Sequence, residues 1–219
     1  MVENPKLVSI LEKLRKVSTS AVSDALDKLG IDGVLRGFNQ IVEGSKIVGQ
    51  AFTVKETINT PGSPPFSVGK IIDGASPGDV IVIDVEGKTD ASTWGGNASL
   101  AAKMKKVEGV VVNGSCRDVD ETRQINFPIF SVSKVPRTGT GRISTVDYNV
   151  RLEINGVAIN PGDIVMFDVT GGVVIPRNRL DDLMTAVKKV EDRDEFIRRR
   201  IEAGVSMSVA QEEASNLPK

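Results

Sequence analysis

Gly109-Val110-Val111-Val112-Asn113-Gly114-Ser115-Cys116-Arg117-Asp118 sets the fold class. Its valine run is too short for a helix and has no polar alternation, so it reads as a strand buried on both faces. Gly114 is expected to end that strand, and Arg117–Gln124 to open a helix. Upstream, Gly95–Lys106 has helical spacing, with Leu100, Ala101 and Met104 on one face; downstream, Phe127–Ser131 reads as another strand. Strands feeding helices through tight turns are the units of an α/β domain.

Further out, helices are expected at Pro5–Lys16, from an N-cap at Ser18 or Thr19 to Leu29, and at Val68–Asp73. Lys46–Val54 reads as a strand, followed by the breaker-rich loop Asn59–Pro65. Pro77-Gly78-Asp79 leads into strand Val80–Val85, and the phrase recurs as Pro161-Gly162-Asp163 before Ile164–Asp168. Asp79 and Asp163 are expected to cap their turns; Asp84 and Asp168 stand at strand ends. Asn155-Gly156 between Val150–Ile154 and Val157–Ile159 marks a hairpin, because both turn positions favour positive φ. Val173–Ile175 is a last strand. A charged helix then runs from Leu180 to about Ala203, with a short helix at Val209–Ala214. The charged helix is too polar for its own core and is expected to project or to meet a neighbouring subunit. The whole predicts a single α/β domain over 1–219 with a mixed central sheet, N-terminal helices in 1–30 and a C-terminal helical extension over 178–219.

Composition narrows the chemistry. The 219 residues carry a formal net charge of −1 with no basic run, which offers nucleic acid no electrostatic footprint. No apolar stretch is long enough for a membrane span, and Met1–Arg15 lacks a secretory apolar block. One cysteine, Cys116, allows no intrachain disulfide and fits a reducing, cytoplasmic setting. The chain has no histidine. That removes the imidazole base, Ser–His and Cys–His pairs and His-based zinc sites. Catalysis must rest on carboxylates, Arg, Lys, hydroxyls, backbone groups or water on a metal.

The densest group of chemically useful residues lies between Trp94 and Glu121. Trp94-Gly95-Gly96-Asn97 opens a helix whose glycines admit a ligand to the backbone and whose N–H groups attract anions. Arg117-Asp118 follows the carboxyl end of a buried strand, where ligands of α/β sheets collect. The guanidinium matches a carboxylate or enolate, and Asp118 offers oxygen to Mg²⁺ or Mn²⁺. Taken alone, adjacent Arg and Asp are more often helix-start charges than a site. Cys116 reads as buried filler and Trp94 as packing or a pocket wall.

Together the phrases are more specific. Trp94-Gly95-Gly96, Ala101-Ala102, Gly109 to Gly114, Arg117-Asp118-Val119-Asp120-Glu121 and Phe127-Pro128-Ile129-Phe130 stand in order. With both Pro-Gly-Asp turns, Gly172 to Arg177 and Ile201 to Ser206, the chain resembles the family that joins 4-hydroxy-4-methyl-2-oxoglutarate aldolases to regulators of ribonuclease E activity. The resemblance implies a swivelling β/β/α-type domain, assembled as trimers or hexamers with sites between subunits. It implies divalent-metal cleavage of 2-oxo acids to pyruvate, with oxaloacetate decarboxylation alongside. It places enolate stabilisation on Arg117, metal binding on Asp118, and the substrate carboxylate on backbone N–H groups of Gly95, Gly96, Asn97 and Ala98. Water on the metal is expected to take the hydroxyl proton.

One position departs. The family's aldolases carry Asp or Glu where this chain has Gly96. Asp90, Asp120 or a neighbouring subunit's carboxylate are the candidate replacements. A Glu that the family recruits from an adjacent subunit has Asp181, Asp182 and Glu191 as candidates. Two rival readings remain: a metal-independent Schiff-base aldolase using Lys55, and a non-catalytic ring that binds a ribonuclease. No glycine-rich nucleotide loop follows the first strand to hold a nucleotide-type cofactor.

Overall fold

The longest strand, Ile47–Ile58, changes partners along its length. In the computed structural model, which describes residues 5–216, Ile47 to Gln50 pair antiparallel with Ile164–Phe167. Ala51 to Lys55 pair parallel with Val80–Asp84, and Val54 to Ile58 pair antiparallel with Ile143–Tyr148. One strand thereby joins an antiparallel half of the sheet to a parallel half.

In chain order the strands are β1 (Val34–Leu35), β2 (Asn39–Gln40), β3 (Ile47–Ile58), β4 (Val80–Asp84), β5 (Ser92–Trp94), β6 (Gly109–Cys116), β7 (Ile129–Lys134), β8 (Ile143–Tyr148), β9 (Leu152–Ile154), β10 (Val157–Ile159), β11 (Ile164–Phe167) and β12 (Gly172–Ile175). The α-helices are α1 (Pro5–Leu14), α2 (Thr19–Lys28), α3 (Val68–Gly74), α4 (Gly96–Met104), α5 (Val119–Ile125), α6 (Leu180–Glu202) and α7 (Met207–Ser215). The mixed sheet runs β1-β12-β11-β3-β4-β6-β7-β2, with β5 beside β6 and β8 beside β3. β9 and β10 form the expected hairpin, with Asn155 and Gly156 both at positive φ.

Period-two alternation sorts the strand side chains onto two faces. Ile81, Ile83, Val110 and Val112 face α3 and α4, meeting Ile71, Ile72, Ala98 and Ala102. Val80, Val82 and Val111 face the other way and meet Val165, Phe167 and Val174 from the antiparallel half, with Leu152 to Ile159 of the hairpin. The sheet thus curls over a core of its own. Ile164, Met166, Val173 and Ile175 face outward under α1, α2 and α6. Strands covered on both sides need apolar residues at every position, which explains the unbroken runs.

Three expectations change. β6 continues through Gly114 to Cys116. Glycine is needed there for close packing rather than for stopping: a Cβ would press on the Lys88 carbonyl and Val85. The face of α4 bearing Leu100, Ala101 and Met104 points to solvent; Ala98, Ser99 and Ala102 form the buried face. The first half of α6 belongs to the chain's own core through Leu180, Leu183, Ala186, Val187 and Val190. Beyond Val190 its buried residue is Ile197, packed on Ala210 and Ala214 of α7, and this part projects. Among the described residues no helix is long and apolar enough to cross a membrane.

Candidate active site

The turns leaving β5 and β6 meet at the carboxyl edge of the parallel strands. Trp94 is buried, stacks on Phe127 with ring centroids 6.2 Å apart, and donates its indole N–H to Ser99 Oγ at 3.1 Å. Ser99 Oγ donates in turn to the Gly95 carbonyl at 3.0 Å. These bonds fix the first turn of α4. The Arg117 N–H donates to the Trp94 carbonyl at 2.9 Å, clamping the second turn to the first. Asp118 then adopts a left-handed conformation, φ 53°. For a non-glycine residue this costs about 1–2 kcal/mol, and such strain collects at functional sites.

A cleft of about 220 Å³ results. Gly95, Gly96, Asn97, Ala98, Arg117 and Asp118 line it, so every residue assigned a site role from the sequence comes together. Phe66, Val68, Thr93, Trp94, Thr138 and Thr140 complete much of the wall. Arg117 Nε lies 3.4 Å from Asp118 Oδ2, and the same oxygen accepts the Gly96 N–H at 3.1 Å. Gly96 has therefore committed its N–H within the protein. Asn97 and Ala98 carry the next N–H groups of the first turn, which no intrahelical carbonyl can reach.

The paired glycines answer to crowding. A Cβ on Gly95 would stand 2.5 Å from Asp118 Oδ2 and 3.1 Å from Arg117 Cγ. A Cβ on Gly96 would collide with the carboxylate of Glu121. Glu121 thus stands where the departure at Gly96 removed an acid, a placement sequence reasoning did not give it. The signal was the i, i+3 spacing from Asp118, which puts both carboxylates on one side of a helix start. Asp120, by contrast, is 93% exposed on its side chain and faces Arg123. Asp90 is exposed and outside the cleft lining. Asp181 pairs with Lys6 at 2.7 Å and Asp182 with Arg179 at 3.0 Å. These two and Glu191 lie on α6, away from this cleft.

Among the described residues no group of three or more His, Cys, Asp or Glu is gathered to hold a metal. Asp118 lines the cleft, and Glu121 is exposed beside Gly96 and outside that lining; one or two carboxylates of this kind, with water and substrate completing the shell, are what a hard cation such as Mg²⁺ takes.

Lys55 lies outside the cleft lining. Its ammonium sits 2.8 Å from Asp84 and 3.3 Å from Glu86. Burial works to lower its pKa, but the hydrogen bonds and charges of Asp84 and Glu86 prevail and raise it. A Schiff-base lysine needs a free amine, and this environment opposes one. Asp84 also accepts from Asn113 Nδ2 at 2.7 Å, and Asp168 from the N–H and hydroxyl of Thr19 at 2.9 and 2.7 Å. Asp79 and Asp163 hold their turns as expected. Cys116 is buried, and burial raises its thiol pKa despite a hydrogen bond with Ser131. Sequence reasoning also missed Glu56, buried beneath Thr93. Its signal was its place two residues past Val54, in line with Phe52 and Val54 on one face of β3.

Known proteins are similar to this chain in sequence and in fold. Residues 19–175 match the RraA-like model, described as Aldolase/RraA. Protein DlpA of Legionella pneumophila is 32% identical over 97% of this chain, which spans only 35% of that protein's length. A Halalkalibacterium halodurans protein provisionally named 4-hydroxy-4-methyl-2-oxoglutarate aldolase is 32% identical, covering 90% of this chain and 91% of its own. The structure of Streptomyces coelicolor RraAS2, described as an unusual member of the RNase ES inhibitor RraA family, superposes with a TM-score of 0.80. It is 26% identical and covers 87% of this chain and 96% of its own. The chain belongs to the RraA-like family of aldolases and RraA proteins.

Proposed function

We propose that the protein is a divalent-metal-dependent lyase that cleaves 4-hydroxy-2-oxo acids of the 4-hydroxy-4-methyl-2-oxoglutarate type to pyruvate, and decarboxylates oxaloacetate. The observation that carries this reading is the convergence of Arg117 and Asp118 on one cleft, against the first turn of α4. Relatives named as aldolases support it. Asp118 and Glu121 would hold Mg²⁺ or Mn²⁺, which supplies Lewis-acid polarisation of the substrate's carboxylate and ketone oxygens.

The chain's own groups do the rest. N–H groups of Asn97 and Ala98 receive the substrate carboxylate. Cleavage of the C3–C4 bond leaves its electron pair on a pyruvate enolate. Arg117, held by its backbone bond to Trp94, presents a fixed positive charge to the nascent oxygen. Trp94, Phe66 and Val68 give the cleft apolar walls that limit water around that charge. Assembly as a trimer or hexamer, with a further carboxylate from a neighbouring subunit, is part of the same proposal.

The test is a panel of 2-oxo acids assayed for pyruvate release with and without Mg²⁺ or Mn²⁺. Metal-dependent release from at least one of them supports the reading; none from any sinks it. A second reading, a ring that binds a ribonuclease, is favoured by the glycine at position 96 and by the Streptomyces relative's description as belonging to an inhibitor family. Capture of a ribonuclease by a protein inactive on the whole panel would establish it instead.

A further inference from the structure

A fully buried carboxyl lies behind the wall of the cleft. Glu56 has no exposed surface. The β3–β8 pairing shifts register between Lys55 and Glu56. Lys55 turns to Asp84 and Glu86, whereas Glu56 turns under the cleft. Its Oε2 accepts the hydroxyl of Thr93 and its Oε1 that of Thr145 at 3.1 Å. Thr93 lines the cleft. Thr145 Oγ1 accepts the N–H of Ser67, the residue between the lining residues Phe66 and Val68.

Among the described residues no cation is paired with this carboxyl. Its hydrogen-bond partners are Thr93 on β5 and Thr145 on β8, and Thr93 shares the cleft lining with Arg117 and Asp118. Burial pushes its pKa up to about 7, against the two threonine hydrogen bonds, which pull it down. An acid poised there changes protonation at neutral pH, and the chain has no histidine to do so.

We propose that Glu56 accepts the substrate's 4-hydroxyl proton through the Thr93 hydroxyl. The inference rests on the lyase reading given above. The substrate hydroxyl passes its proton to Thr93 Oγ as Thr93 passes its own to Glu56. The C4–O pair becomes a carbonyl, the C3–C4 bond breaks, and its electrons form the enolate of pyruvate. C3 then takes a proton from water, and Glu56 releases its proton to solvent by the same hydroxyl. Oxaloacetate loses CO₂ by breaking the same bond and has no hydroxyl proton to give, so its decarboxylation bypasses the relay. Glu56 acts through Thr93 and does not touch substrate.

The experiment uses the full chain with Mg²⁺ and both substrates, 4-hydroxy-4-methyl-2-oxoglutarate and oxaloacetate. Glu56→Gln and Thr93→Val should each lose at least about tenfold in cleavage of the hydroxy acid while decarboxylation stays within about twofold. Thr93→Ser, which keeps the hydroxyl, should retain cleavage. In the wild type, cleavage should rise with pH through about 7, and Glu56→Gln should lack that limb. A merely structural Glu56 would lower both reactions together and leave the limb in place, and either result overturns the relay. Unchanged cleavage in both variants, with decarboxylation intact, overturns it while sparing the lyase reading. A wild type inactive on both substrates overturns the two together.

Discussion

The carboxylate of Glu121 fills the space that any side chain at Gly96 would need. An acid delivered from α5 and an acid delivered from position 96 are therefore mutually exclusive solutions to the same place. Gly96→Ala should displace Glu121. Because the colliding group is the end of a flexible side chain, the stability cost should be near the lower end of overpacking, about 1 kcal/mol. Activity should fall at least about tenfold if Glu121 helps hold the cation. Glu121→Ala should relieve the clash, so the double variant should be no less stable than Gly96→Ala alone. Thermal melts and pyruvate release across the four proteins measure the coupling. Strict additivity in both would mean that the two positions do not compete.

Arg117 is placed by its backbone, which donates to the Trp94 carbonyl at 2.9 Å, so its guanidinium can be changed without unseating the turn. Loss of a preorganised charge beside a developing oxyanion costs about 3–4 kcal/mol in barrier, a factor of about 10²–10³. Arg117→Ala should show this in kcat/KM for pyruvate release. Arg117→Lys should recover little, because a point charge lacks the planar fork. Turnover unchanged in both variants would remove Arg117 from the reaction.

Two carboxylates, with no cluster of three or more His, Cys, Asp or Glu among the described residues, would make a cation site that exchanges readily. EDTA should abolish pyruvate release, and Mg²⁺ or Mn²⁺ should restore it. Asp118→Asn and Glu121→Gln should each raise the metal concentration for half-maximal activity by about 10–100-fold. Full activity in EDTA would count against a metal altogether. Asp120→Asn serves as the control: its side chain is almost fully exposed, and the metal requirement should not move.

The sequence exposed the fold wherever one rule acted alone. The doubly covered strands β4 and β6 showed as unbroken apolar runs, and the Asn155-Gly156 hairpin followed from positive φ. Arg117 and Asp118 were legible because they follow the end of such a strand. Gly114 was misread because in-strand crowding and turn formation both select glycine, and only the packing against Lys88 and Val85 distinguishes them. The burial of half of α6 was hidden by charges on its remaining faces. Glu121 and Glu56 were missed because their placements depend on contacts distant in sequence: Glu121 with Gly96, Glu56 with Thr93 and Thr145.

Glu56 also predicts how stability varies with pH. Its pKa in the folded protein is about 7, against an ordinary value of 4.5, because burial disfavours the charged form. A carboxyl raised in this way binds its proton more tightly folded than unfolded. Its contribution is intact below the unfolded value and is lost as pH climbs through about 7. The difference between 4.5 and about 7 sets a scale of about 3.5 kcal/mol. Asp168 is shifted the opposite way: burial would raise its pKa, but the hydrogen bonds from Thr19 and Thr170 and the charge of Lys46 lower it, so its contribution disappears only as pH falls. Comparing wild type with Glu56→Gln cancels that and every other shared slope. The amide fills the same volume and carries no charge at any pH. Urea unfolding at fixed protein concentration should therefore show the wild type losing stability relative to Glu56→Gln between pH 5 and pH 8. Parallel curves for the two proteins would mean that Glu56 does not titrate in this range.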